Sequence, residues 1–214
     1  MIINFEKTKT FWYGGIKPNR REKLEKNLSS LNIKAKHIEP YISNHPYSAV
    51  RIGCAKSHLK ALEESLKYDE PVLILEDDVD STDWYCSKIE IPDDTDAFYV
   101  GTCLNGINHN WALSNVDGGC CGYPLPLERY ESFYRIHGML TTHAILYCSK
   151  IYKEYCIDLL KKNENGRHID VLFAANMFRH KIYAPKKPLF FQNCELENKD
   201  AFIKTKTPLE TIFH

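Results

Sequence analysis

An apolar run that exits into a cluster of acids, VLILEDDVD (Val72–Asp80), constrains this chain more than any other stretch. Val72–Leu75 reads as a buried strand, and Glu76, Asp77, Asp78 and Asp80 follow at its end. Two like charges about 4 Å apart repel by roughly 4 kcal/mol at an effective dielectric of 20. Such repulsion gives nothing to folding, so the cluster predicts a positive partner at the strand exit.

The flanking segments set the architecture. Met1–Phe5 (MIINF) reads as a short buried strand, followed by a loop through FWYGGIKP. Pro18 and Asn19 open a helix with Leu24, Leu28 and Leu31 at helical spacing. Ile33–Ile38 is a candidate strand and Pro40–Pro46 a loop. The next helix carries Ala55, Leu59, Leu62 and Leu66 on one stripe and delivers the chain to Val72. Further strands are expected at Ala97–Gly101, Ala144–Cys148, KIYA and LFFQ, with helices on Ile151, Tyr155 and Leu159 (stopped at Asn165–Gly166) and near Ile169–Phe178. Asn105–Glu131 lacks periodicity and reads as a long lid or binding loop. Alternating strands and helices predict one α/β domain over residues 1–214 with a mostly parallel sheet.

Composition removes several function classes. Lys plus Arg and Asp plus Glu each total 28, so no net field draws in nucleic acid or an anionic membrane. No run approaches the ~18 apolar residues of a membrane span, and MIINFEKTKTFW turns polar too soon for a signal peptide. The eight cysteines form no CxxC pair and read as reduced thiols of an intracellular, cytoplasmic protein. The vicinal pair Cys120–Cys121 is a weak soft-metal motif without a partner.

Ligands of open α/β sheets collect at the carboxyl ends of the strands, where these acids fall. Asp78-Val79-Asp80 is a DxD, and alternate residues of an extended stretch point to one side. Two such oxygen donors suit a hard divalent cation that clamps a diphosphate and neutralises charge as it leaves. The bland alternative is a solvated acidic turn. A rival chemistry is the DxDxT of haloacid-dehalogenase-like phosphatases, spelled by Asp78–Thr82. That motif belongs on a first strand, whereas strands and helices already precede this one.

The span GCAKSHLKALEESLKYDEPVLILEDDVD resembles the lipooligosaccharide galactosyltransferase family, glycosyltransferase family 25. In the same order, PNRREKLEKNL, DTDAFYVG, THAILYCSK, HIDVLFA and KIYAPKKPLFFQN look like further segments of that family, so the resemblance covers most of the chain. Length and the divergent Asn105–Glu131 loop look most like chlorella-virus-encoded glycosyltransferases, which would place the protein in host cytoplasm. The resemblance implies a GT-A fold, a UDP-sugar donor, a glycan or glycoprotein acceptor, and Mn²⁺ or Mg²⁺. It places the family's Glu-Asp-Asp on Glu76, Asp77 and Asp78, and this sequence adds Asp80. Asp78 and Asp80 are then the metal ligands, with Glu76 and Asp77 in nucleotide or supporting roles. A catalytically inactive nucleotide-sugar binder is the other class consistent with these residues.

Other candidates follow from position. Lys56, in the first turn of the helix before the acids, is a diphosphate or base contact or a plain surface lysine. Its neighbour His58 reads as structural. Arg20, with Arg21, starts the first helix, and Arg51 is a further basic candidate for the nucleotide. Phe5, with Phe11 or Trp12, is a candidate sandwich for the base, against core packing. His143 is a donor-sugar or diphosphate contact, Trp84 a sugar platform, and His168 or His180 a completing metal ligand. Asp170 matches the family's late Asp and is the candidate base for the acceptor hydroxyl. Its bland role is a helix-start acid.

Overall fold

The computed structural model describes residues 1–45, 48–107, 122–163, 166–194 and 198–213. In its first half, β1 (Ile2–Asn4), β2 (Lys9–Tyr13), α1 (Pro18–Ser30), β3 (Ala35–Ile38) and α2 (Ala49–Ser65) lead to β4 (Val72–Glu76). Short strands β5 (Val79–Ser81), β6 (Lys88–Glu90) and β7 (Ala97–Phe98) follow. The second half holds β8 (Leu125–Arg129), β9 (Phe133–His137), β10 (Ala144–Tyr147), α3 (Lys150–Lys161) and α4 (Ile169–Ala174). It closes with β11 (Ile182–Pro185), β12 (Phe190–Gln192) and α5 (Lys199–Lys206).

Eight strands form the central sheet in the order β3-β2-β4-β10-β7-β11-β9-β8. The neighbours β3–β2, β2–β4 and β7–β11 run parallel, and the other four pairs run antiparallel. The α/β class is as expected, but the sheet is mixed rather than mostly parallel. Buried apolar runs report that both faces are covered and carry no sign of strand direction. In β4, Val72 and Ile74 pack with α2 and α3, while Leu73 and Leu75 pack with Leu24 and Leu28 of α1. The two-residue alternation of a strand thus splits one run between two cores.

Met1–Phe5 forms β1, but it pairs only with β6 in a separate two-stranded sheet. The first strand of the central sheet is Lys9–Tyr13, which takes Phe11, Trp12 and Tyr13 from the expected loop. It is buried on both faces from Thr10 onward, so no polar alternation marks it. The expected loop Asn105–Glu131 contains the edge strand β8, and its residues 108–121, with Cys120 and Cys121, lie outside the described residues. Asn165 of the expected helix stop lies outside them too. The six described cysteines are free thiols. Along α3 the buried residues are Tyr152, Lys153, Cys156, Ile157 and Leu160, one residue round from the expected stripe, which leaves Ile151 exposed.

Two local features aim the site. Helix α1 starts on Pro18 and stops on Asn32, whose φ of 57° is left-handed. Ile33 N donates to Leu28 O and Asn32 N to Ser29 O, the paired bonds of a Schellman stop. Parallel pairing of β2 with β4 sets Tyr13 beside Glu76, so both strands end on the same line. Among the described residues, no helix is long and apolar enough to cross a membrane.

Candidate functional site

Beyond that line lies a cleft of about 520 Å³. Its floor is Tyr13, Gly14, Glu76, Asp77 and Asp78, and its walls include Lys17 just before α1, Arg20 of α1 and Cys54 of α2. Tyr41, Ile42 and Val50 complete an apolar side.

Three of the four acids are relieved of mutual repulsion, each in a different way. Asp77 accepts Gly15 N at 2.6 Å on Oδ2 and Arg20 Nη1 at 3.2 Å on Oδ1. Gly14 permits this: its φ is 112°, and a Cβ there would lie 2.5 Å from Asp77 Cγ. Glu76 accepts Tyr13 Oη at 3.0 Å and Thr142 Oγ1 at 2.7 Å, both on Oε1. Burial, then the Asp78 charge, push its carboxyl up to about 8, so it carries a proton at neutral pH. Asp80 accepts Ser81 N at 2.8 Å and Asn193 Nδ2 at 2.9 Å. Asp78 is pushed up to about 6 by burial, against the pull of Arg20 at 3.6 Å. Gln192 Nε2 lies at the far limit of a bond to its Oδ2, at 3.5 Å. Among the described residues its Oδ1 is buried without a hydrogen-bond partner.

This corrects the DxD expectation. The chain turns at Asp77–Asp78 before β5 begins, so Asp78 and Asp80 are not alternate residues of one strand. Asp80 instead ties β5 to the segment after β12 and does not line the cleft. The same turn breaks the DxDxT alternative, whose two acids must face one phosphate; Thr82 Oγ1 is spent on Pro188 O. Among the described residues, no group of three or more His, Cys, Asp or Glu is placed to hold a metal ion. What fits a hard cation is the single orphaned oxygen of Asp78, with remaining positions left to water and a bound phosphate.

The other candidates divide. Arg20 is at the acids. Arg51 is half-buried in the first turn of α2, outside the cleft lining. Lys56 lies more than two turns into α2, because the helix starts at Ala49, so the helix-end argument for it fails. Its Nζ sits 4.4 Å from the centre of the Tyr41 ring, on the outer side of the cleft wall. Phe5 is fully buried against Tyr85 and Phe190, Phe11 is fully buried, and Trp12 stacks on His37, so none sandwiches a base. His143 is fully buried beneath Gly101, bonds Thr141 Oγ1 and is pushed down to about 4 by burial. It does not line the cleft, and only its carbonyl, which accepts Glu76 N, serves the site. Trp84 is partly exposed after β5, away from the cleft lining. His180 lies 3.5 Å from Asp96, which precedes β7 at the sheet edge where β4 starts, opposite the acids. His168 is the exposed cap of α4.

Asp170 opens α4 and accepts Val171 N at 2.8 Å. Burial raises its carboxyl, and its charge adds to the raising of Glu76 and Cys54, but Asp170 does not itself line the cleft. Sequence reasoning missed Tyr13, Gly14, Tyr41 and Thr142. The glycine pair after an aromatic strand end was the available signal for the first two.

No protein-family model matches the chain, and no curated protein matches it. Among solved structures it is similar to "a glycosyltransferase involved in the glycosylation of the major capsid of PBCV-1", at 12% identity and a TM-score of 0.47, over 87% of this chain and 94% of that one. It is also similar to a CTP:phosphocholine cytidylyltransferase from Streptococcus pneumoniae, at 10% identity and a TM-score of 0.43, over 86% and 72% of the two chains. A nucleoside-diphosphate-sugar pyrophosphorylase from Vibrio cholerae is a third, at 15% identity and a TM-score of 0.40, over 84% and 73%. These likenesses are broad in coverage and loose in geometry.

Proposed function

We propose that the chain is a GT-A-type glycosyltransferase that moves a hexose from a UDP-sugar to a glycan or glycoprotein acceptor. One observation carries this reading: a cleft at the carboxyl ends of β2 and β4 whose floor holds a buried, unpartnered carboxylate oxygen beside an arginine. An anion alone would be repelled by that oxygen and a cation alone leaves its own charge uncompensated. A nucleotide diphosphate with a divalent ion gives that oxygen a partner and adds a further one to Arg20, which already bonds Asp77. The ordered resemblance to glycosyltransferase family 25 supports the same reading.

In this proposal Asp78 holds Mn²⁺ or Mg²⁺ by Oδ1, and the ion, when bound, supplies Lewis-acid stabilisation of the leaving diphosphate. Arg20 and Lys17 face the phosphates, and Tyr41, Ile42 and Val50 offer an apolar wall to the base. Asp170 takes the proton of the acceptor hydroxyl, and burial raises the proton affinity of its carboxyl above that of an exposed acid. Trp84 remains a candidate acceptor platform through its exposure alone.

Calorimetry with UDP, GDP and CMP, each with Mn²⁺ or excess EDTA, tests the donor site. Tight binding of UDP only with the metal, abolished in Asp78→Asn, is expected. Equal UDP affinity in EDTA would sink the metal clamp, and no nucleotide binding at all would sink the function.

A further inference from the structure

A buried polar chain runs from the core to the cleft. Tyr147 Oη lies 2.7 Å from His58 Nε2, and His58 Nδ1 lies 3.0 Å from Tyr13 Oη. Tyr13 Oη in turn donates to Glu76 Oε1 at 3.0 Å. His58 and Tyr147 are fully buried, and Tyr13 is 4% exposed. Such groups need every donor and acceptor accounted for.

With the Glu76 proton on Oε2, Oε1 is the acceptor for both the Tyr13 and Thr142 hydroxyls, and the accounting then runs in one direction. Tyr13 therefore spends its single proton on Oε1, and its oxygen accepts from His58 Nδ1–H, with Cys54 Sγ at 3.7 Å as a weak second donor. His58 Nε2 is then an acceptor, filled by the Tyr147 hydroxyl. All donors point the same way, toward the cleft, and bonds in such a chain polarise one another. Burial holds the His58 imidazole neutral, pushed down to about 3, as this pattern requires.

We propose that His58, fixed in its Nδ1–H tautomer by Tyr147, is a positioning residue that orients Glu76 through Tyr13 and leaves Oε2 to the hydroxyl groups of a nucleotide in the cleft. This rests on the functional reading above. The chain also explains why polar His58 sits at the centre of α2's buried face, where an apolar residue would pack as well. Phe173 packs edge-to-face on the imidazole at 5.7 Å between centroids.

The test combines a spectroscopic signature with a double-mutant cycle. Nitrogen-15 shifts of His58 should show the neutral Nδ1–H form, and Tyr147→Phe should turn it into a tautomer mixture. UDP affinity in Mn²⁺ should fall about tenfold in Tyr13→Phe, and by a similar factor in His58→Phe. The double mutant should fall little further, because both cut the same chain. Where His58→Phe does not fold, Tyr147→Phe replaces it in the cycle, with a smaller loss that Tyr13→Phe again absorbs. An Nε2–H tautomer in a wild type that binds UDP, or losses that multiply, overturns the relay alone. A wild type that shows the Nδ1–H form but binds no nucleotide overturns the functional reading and the ligand half of this proposal together.

Discussion

Glu76→Gln separates the proton on the cleft floor from the shape of the floor. In the unfolded chain the Glu76 carboxyl titrates at its ordinary value of 4.5, and in the folded protein burial and Asp78 push it up to about 8. Between those values the folded state holds one proton more than the unfolded state, so stability falls as pH rises. The contribution is fully present below the lower value and is lost as pH climbs through the upper one. Each pH unit in that window costs about 1.4 kcal/mol, giving a ceiling on the order of 4–5 kcal/mol. Water drawn in by the new charge lowers this to roughly half. Glutamine keeps a carbonyl oxygen for Tyr13 and Thr142 and has no proton to lose. Urea unfolding of metal-free protein, followed from about pH 6.5 to pH 8.5, should show a steep decline in wild type and a shallow one in the mutant. Below that range the slope also carries His58 and His143, whose lowered imidazoles make stability rise with pH, and Asp78 and Asp170, whose raised carboxyls make it fall. Parallel pH curves would refute the reasoning, because Glu76 would then be ionised at no cost.

Two further perturbations test other parts of the cleft. Gly14→Ala combines a strained φ of 112° with a Cβ placed 2.5 Å from Asp77 Cγ, and should cost about 3 kcal/mol. Thermal melts should therefore drop by about 6–12 °C, and an unchanged melt would show that the loop and Asp77 separate without loss. Asp170→Asn keeps the oxygen that accepts Val171 N but cannot take a proton. Sugar transfer should fall about 100-fold or more with UDP affinity unchanged, whereas near-normal transfer would return Asp170 to a helix-start acid.

The layers of the fold were legible because burial writes a strong pattern. Helix α1 follows from Pro18 and its leucine spacing, and β4 from an unbroken apolar run. Strand direction was not legible, since β10 carries the same Ala-Ile-Leu-Tyr whether it runs with β4 or against it. Strand β2 was hidden because its aromatic residues and the Gly14–Gly15 pair read as a turn. The consequence reached the site: with β2 unplaced, Tyr13 had no neighbour, and its pairing with Glu76 could not be foreseen. Likewise Asp96, His180 and Ser149 form a polar hub that sequence alone cannot assign to either sheet edge.

The acid cluster shows where local sequence logic stops. Spacing alone makes Asp78 and Asp80 equals, both acids flanking one valine. The fold makes them opposites through a single turn at Asp77–Asp78, which sends Asp80 to Asn193 and keeps Asp78 on the cleft floor. Repulsion among the four is then removed for three of them from within: a proton on Glu76, Arg20 and a backbone amide on Asp77, an amide side chain on Asp80. Arg20 also leans toward Asp78, but from 3.6 Å and on the other oxygen. The remaining oxygen, buried and unpartnered, is a cost that the fold could remove with one more donor. Among the described residues the fold supplies partners to three neighbouring acids and leaves one oxygen of the fourth without one, and that oxygen is where the proposed ion would bind.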